Sequence, residues 1–149
     1  MASAALIRAA TVEDIPRLLA IERQAEQASH WAENEYSAMF ESQSPRRIVL
    51  VADDESGMHG FGVARLVHPG CEIENLVVSP VMRRRGIGMR LLSGLIDRAR
   101  EQGAITFFLE VRELNIEARA LYNRVGFREC GRRKAYYQNP EDNAILYCL

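Results

Sequence analysis

Ile73-Glu74-Asn75-Leu76-Val77-Val78-Ser79-Pro80-Val81-Met82-Arg83-Arg84-Arg85-Gly86-Ile87-Gly88 is the stretch on which the fold turns. A mostly apolar run passes through Ser79-Pro80 into three arginines and a glycine-bearing turn, and an amphipathic helix follows. The run predicts a strand over Glu72 to Val78. Beyond the turn, Ile87, Leu91, Leu95 and Ala99 recur at four-residue spacing with Leu92 and Ile96 beside them, the stripe of a helix lying on a core. Gly103 closes that helix. A strand delivering its chain through a glycine turn into a helix can bind an anion. The first helical turn leaves N–H groups without intrahelical partners, and the helix dipole favours negative charge there. Gly86 and Gly88 let the backbone come close to phosphate oxygens, and the arginines add positive potential. A glycine turn with a solvated basic edge is the competing reading of such a short pattern. No Gly-Lys-Ser/Thr follows, so the turn is not a P-loop. Leu91 stands where a dinucleotide fingerprint needs its third glycine.

Towards the N-terminus, Leu6 to Ala9 predicts a short strand. Thr11, with Asp14 three residues on, predicts the cap of a helix that buries Ile15, Leu18, Leu19 and Ile21 and ends near Gln27. A weaker helix is expected over Ala32 to Glu41, carrying Tyr36, Met39 and Phe40. Ile48 to Ala52 and Gly60 to Val67 read as a hairpin turning at Asp53-Asp54-Glu55-Ser56-Gly57, with His68-Pro69-Gly70 leading into the central strand. On the C-terminal side, Ile105 to Val111 is a β-rich run. Asn115 caps a helix with Ala118, Leu121, Tyr122 and Val125, closed by Gly126. Strands near Phe127–Arg132 and Asn143–Leu149 complete an α/β (α+β) chain: one domain over residues 1–149, a mixed, mostly antiparallel sheet flanked by helices.

Composition bounds the function. The chain has 149 residues, 48% of them hydrophobic, a size that buries a core unaided. Its 19 basic residues meet 20 acidic ones, which speaks against direct nucleic-acid binding. No apolar run reaches the ~20 residues of a membrane span, and the first residues do not read as a secretory signal. Three scattered cysteines (Cys71, Cys130, Cys148) and three scattered histidines fit no metal site, and no convincing disulfide framework is expected. A cytoplasmic location with reduced thiols follows as the expectation.

Val78-Ser79-Pro80-x-x-Arg83-Arg84-Arg85-Gly86-Ile87-Gly88 resembles the acetyl-coenzyme A motif of the GNAT N-acetyltransferases, and Asn115-x-x-Ala118-x-x-Leu121-Tyr122-x-x-x-Gly126-Phe127 resembles their second motif. Order and spacing fit over nearly the whole chain. The resemblance implies a GNAT fold and acetyl-coenzyme A as cosubstrate. Its pyrophosphate would lie on the Arg83, Arg84, Arg85, Gly86, Ile87, Gly88 and Met89 turn, and its pantetheine arm along Leu76, Val77 and Val78, with Asn115 in contact. Leu109-Glu110-Val111-Arg112, Trp31 with Tyr36, Arg132-Arg133 before Tyr136-Tyr137, and Glu141-Asp142 are similar to one branch, the bacterial ribosomal-protein alanine N-acetyltransferases. That branch implies Glu110 as general base and Tyr122 as general acid. It also implies a protein N-terminus as acceptor, by analogy a ribosomal protein beginning with a small residue followed by a basic one. Two departures fall in the acceptor region: His30 where a proline is usual, and Asn143 after Glu141-Asp142.

Residue chemistry bears on the same roles. An α-amine with a pKa of about 8 is largely protonated at neutral pH and cannot attack a thioester. A nearby carboxylate can take that proton. Glu110 ends the apolar run Ile105-Thr106-Phe107-Phe108-Leu109, where a carboxylate needs a function or a partner such as Arg112 or Arg65. Glu72 and Glu74 are rival bases. Tyr122 can protonate a leaving thiolate, or simply pack in the core. Cys71 lacks a histidine neighbour and is expected to be a structural thiol. Trp31, Tyr136, Tyr137, Glu141 and Asp142 are the candidate acceptor walls, with ordinary packing and a solvated acidic loop as the alternative. Two other functions fit the pattern: acetylation of a small-molecule amine, and non-catalytic acyl-coenzyme A binding.

Overall fold

The computed structural model describes residues 5–25, 31, 33–41 and 46–149. Its elements run β1 (Leu6–Ala9), α1 (Ile15–Gln24), α2 (Glu33–Glu41), β2 (Arg46–Asp54), β3 (Gly57–Val67), β4 (Gly70–Val78), α3 (Ile87–Glu101), β5 (Thr106–Arg112), α4 (Ile116–Val125), β6 (Arg128–Tyr137) and β7 (Asp142–Cys148). The helix expected to end near Gln27 stops at Gln24, because Ala25 is already extended; Gln27, Ala32 and His30 lie outside the described residues. The strand expected over Phe127–Arg132 continues to Tyr137.

Among the described residues one sheet forms, ordered β1-β2-β3-β4-β5-β7-β6. Every neighbouring pair is antiparallel except β4 and β5. Helices cover both faces. On one, Ile87, Leu91, Leu92, Leu95, Ile96 and Ala99 of α3 join Tyr122 of α4, Phe107, Leu109 and Val111 of β5, and Ile145 and Tyr147 of β7. On the other, Ile15, Leu18, Leu19 and Ile21 of α1 and Tyr36 and Met39 of α2 pack on Val49, Val51, Phe61, Val63 and Val77. Each fully buried aliphatic or aromatic side chain contributes roughly 1.5–3 kcal/mol. Close packing of α3 requires Gly62, where a Cβ would stand 2.8 Å from Leu95 Cδ1.

The pairing of β4 decides where a site can lie. Val63 pairs with Asn75 and Ala64 with Ile73, so Glu74 is the extra residue of a β-bulge. The bulge inverts the alternation. Cys71 and Ile73 point into the α3 face before it, and Leu76 and Val78 do so after it. Its second effect is to bend β4 away from its parallel neighbour. Pairing between β4 and β5 covers only Gly70–Thr106, Cys71–Phe107 and Glu72–Phe108, and then the strands part.

Asp14 fastens the start of α1. Its carboxylate takes the Thr11 N–H at 2.8 Å and both terminal nitrogens of Arg8 at 2.9 Å. Hydrogen bonding to Arg8 holds the Asp14 carboxyl at about 2, below its ordinary 3.8. A depressed folded-state pKa gives stability that is present above about pH 4 and lost as pH falls through about 2. Asp14→Asn should therefore cost about 1–2 kcal/mol at pH 7, with Arg8 partly screened by solvent. The gap to wild type should narrow below about pH 4 and close as pH falls through about 2, read by denaturant titration at several pH values. A gap independent of pH would contradict this assignment.

Cys130 and Cys148, expected to remain apart, are bonded to each other. The β6–β7 ladder sets Arg128 opposite Cys148 and brings the two cysteine Cα atoms to 6.0 Å. Cysteine usage therefore gives no support for a reducing compartment. No helix among the described residues is long and apolar enough to cross a membrane.

Candidate active site

Beyond Glu72 the β4 edge that faces β5 has no strand partner among the described residues. Leu76, Val77 and Val78 form that edge. Half their backbone N–H and C=O groups pair with β3 and half turn to the opening, as an antiparallel ladder dictates. At the far end of β4, a 3₁₀ turn over Pro80–Met82 leads to the basic turn. Arg84 has φ 65° and Gly86 has φ 78°, both left-handed, and Gly86 is the N-cap of α3. Successive N–H groups in such a turn make a concave anion site at the helix N-terminus. Arg83, Arg84, Arg85 and Gly86 are all exposed, and nothing lies within 4 Å of where a Gly86 Cβ would be. Ile87 is buried beneath them, a Cβ on Gly88 would stand 3.2 Å from Leu121 Cδ2, and Met89 is half-buried. An extended ligand ending in phosphates fits this pairing of open strand edge and anion turn.

A cleft of about 420 Å³ adjoins the turn, lined by Gln24, Pro80, Arg83, Leu114, Asn115, Ile116 and Glu117. Asn115 caps α4, its Oδ1 accepting the Ala118 N–H at 3.3 Å, so its amide N–H₂ is the part that can reach a ligand. Leu114 and Ile116 are exposed around it, an apolar rim that the sequence reading did not single out.

Glu110 and Tyr122 lie on opposite faces of the sheet. Phe107, Leu109 and Val111 of β5 point into the α3 side, so Glu110 projects to the α1 side. Its Oε1 meets Arg133 Nη2 of β6 at 3.2 Å, a partner different from the expected Arg112 or Arg65. Arg112 instead lies over the Tyr137 ring at 4.3 Å and donates to the carbonyls of Gln138 and Pro140. Arg65 holds Glu72 at 2.8 Å, and Arg47 holds Glu74 at 2.7 Å. Both rival glutamates are thus engaged from β2 and β3, on the far side of β4 from the opening.

Tyr122 is buried against Phe127 and Tyr147, and its hydroxyl makes no hydrogen bond among the described residues. Burial raises its pKa well above that of a free phenol, so the group keeps its proton through neutral pH. Tyr137 stands in electrostatic range of both candidates; burial raises it, with the Glu110 charge adding to the shift. Cys71 is fully buried, and burial pushes its thiol up to about 11, as a packing residue requires.

The acceptor-wall candidates divide. Trp31 is half-buried on the α1 face, edge-on to Tyr36 at 5.6 Å. Tyr136 and Tyr137 meet edge-to-face at 5.1 Å at the end of β6, Tyr136 being half exposed. Glu141 is exposed. Asp142 is buried, its carboxylate taken up by the Leu114 and Asn143 N–H groups at 3.1 and 2.8 Å, so it clasps the β5–α4 turn rather than facing solvent. On β6, Arg132 is bound by Glu113 at 2.6 Å and Glu129 at 2.8 Å. No cluster of three metal-ligating side chains occurs among the described residues.

The family model for the Acetyltransferase (GNAT) family matches residues 13–127. A relative from Salmonella typhimurium, the ribosomal protein bS18-alanine N-acetyltransferase, is 34% identical over 138 residues, covering 91% of this chain and 90% of that protein. The crystal structure of the Escherichia coli enzyme of that name superposes with a TM-score of 0.84 at 30% identity, over 97% of this chain and 92% of that one. A Salmonella typhimurium structure containing acetyl-coenzyme A has a TM-score of 0.83 at 20% identity, over 99% of this chain and 94% of that one, a likeness of fold.

Proposed function

The chain belongs to the GNAT acetyltransferase family, and from that premise we propose that it acetylates the N-terminal α-amine of a protein, by analogy the N-terminal alanine of a ribosomal protein in the cytoplasm. The observation that carries this reading is the opening between β4 and β5, with Glu110 on one face and Tyr122 beneath the other. Acetyl-coenzyme A supplies the acetyl group as a thioester. The β4 edge at Leu76–Val78 orients it through backbone hydrogen bonds, and the Arg83–Met89 turn and the Asn115 amide hold its polar end. Glu110 takes a proton from the acceptor ammonium on the α1 side, directly or through one water. Tyr122, still protonated, donates to the departing sulfur on the other side. Placing base and acid on opposite faces keeps proton removal and proton delivery apart, and transfer is direct.

Tyr136, Tyr137 and Trp31 offer rigid aromatic surface to an extended peptide, and Glu141 is the exposed carboxylate available to a basic second residue. Peptides beginning Ala-Arg should be acetylated on the α-amine, with internal lysines and spermidine poor acceptors. Glu141→Lys should raise KM for the Ala-Arg peptide about fivefold to tenfold, about 1–1.4 kcal/mol, and leave a neutral-second-residue peptide near wild type. Tandem mass spectrometry locates the acetyl group. Efficient acetylation of spermidine or free amino acids, with none on the peptide, would replace this reading with the small-molecule one. Absence of turnover on every amine would favour a binding module.

A further inference from the structure

The apolar stripe of α1 recurs at Ile15, Leu18 and Leu19, and the next position on that stripe is Glu22. Glu22 is only 1% exposed. A leucine there would continue the stripe without desolvating a charge, so the carboxylate needs a specific compensation. It has one. A single oxygen, Oε1, receives the backbone N–H of Trp31 at 3.0 Å, the Tyr36 hydroxyl at 2.7 Å and the Asn75 amide at 3.3 Å. These donors come from three separate parts of the fold: Trp31, two residues before α2, then α2 itself, and β4.

Their positions give the cluster its meaning. Asn75 directly follows the Glu74 bulge, where β4 has just parted from β5. Trp31 packs edge-on against Tyr36, whose ring in turn meets Phe61 of β3 at 6.1 Å. The Tyr36 phenol is raised by burial and by the neighbouring Glu22 charge, so it remains a donor. We propose that Glu22 is a positioning residue for acceptor binding: its buried carboxylate fixes Trp31 and α2 against the opened half of β4, and so sets the acceptor wall relative to the strand edge that orients the cosubstrate. This rests on the acceptor reading above. Its consequence is a division of labour in which losing the clasp loosens acceptor binding and leaves cosubstrate binding intact.

Trp31 is the one tryptophan of the chain, so its emission reports on the clasp directly. In the full-length protein, Glu22→Gln keeps the volume and removes the charge, while Tyr36→Phe keeps the ring and removes one donor. Both should shift Trp31 emission to the red and expose it to iodide quenching. KM for the Ala-Arg peptide should rise about tenfold in Glu22→Gln, the equivalent of about 1.4 kcal/mol, and by less in Tyr36→Phe. The kcat and the calorimetric Kd for acetyl-coenzyme A should stay within about twofold. Unchanged emission overturns the proposal, as does shifted emission with unchanged KM, or a parallel loss of kcat and cosubstrate affinity. Should Glu22→Gln fail to fold, Tyr36→Phe carries the same test. A wild-type enzyme inactive on the peptide contradicts the acceptor reading instead; emission and KM are then read with whichever amine is turned over.

Discussion

Glu110→Gln should lower turnover of an α-amine acceptor by roughly 10²–10³-fold near pH 7, within the usual contribution of a positioned general base. The deficit should shrink above about pH 8, because the free amine then supplies itself and no longer needs its proton removed. Glutamine is isosteric and loses one contact, the 3.2 Å ion pair to half-exposed Arg133, so stability should change by well under 1 kcal/mol. Tyr122→Phe is the companion measurement. It keeps the ring that packs on Phe127 and Tyr147, so affinity for acetyl-coenzyme A should hold while turnover falls. Wild-type rates in both variants would shift attention to Glu72 or Glu74 as base and to water as acid.

Gly86→Val should weaken acetyl-coenzyme A binding by about 30–100-fold, equivalent to about 2–2.7 kcal/mol. Two effects add. At φ 78° a β-branched residue is strained, which disfavours the conformation that aims successive N–H groups at one point. A side chain would also enter the open space in front of the turn, where the phosphates would lie. Gly86→Ala separates the two, since it brings most of the strain with less bulk. Isothermal titration reads the Kd, and circular dichroism checks the fold. Unchanged affinity in a folded Gly86→Val variant would remove this turn from the binding site.

How far these residues could be found from sequence depends on how local their determinants are. Asn115 and Gly126 bracket α4, and Gly86 opens α3, because caps and left-handed glycines act within one turn of chain. The Glu74 bulge is different. Glu72, Glu74 and Leu76 read as one face of a strand, and only pairing with β3 shows that the alternation is broken there. Since that bulge is where β4 leaves β5, local pattern does not show the opening, and a splay between the central strands is expected only from the family resemblance. β6 reads short from sequence because it is an edge strand, exposed at Arg132, Arg133 and Lys134, and so lacks the apolar alternation that marks a half-buried strand. The Glu110–Arg133 pair spans β7, which inserts between β5 and β6, a non-local order that no short pattern encodes, whereas the Cys130–Cys148 bond depends on the register of the β6–β7 hairpin, which the spacing of the two cysteines does not show. Glu22 was within reach, as a carboxylate at a core position of an otherwise apolar helical stripe.

Mass spectrometry of protein N-termini in cells with and without the gene tests most directly whether this chain acetylates them. One protein, or a small group, beginning with alanine and carrying a basic second residue should lose its α-acetyl group when the gene is absent and regain it on complementation, whereas Glu110→Gln should restore little. An unchanged set of acetylated N-termini, accompanied by loss of an acetylated small amine, would contradict it.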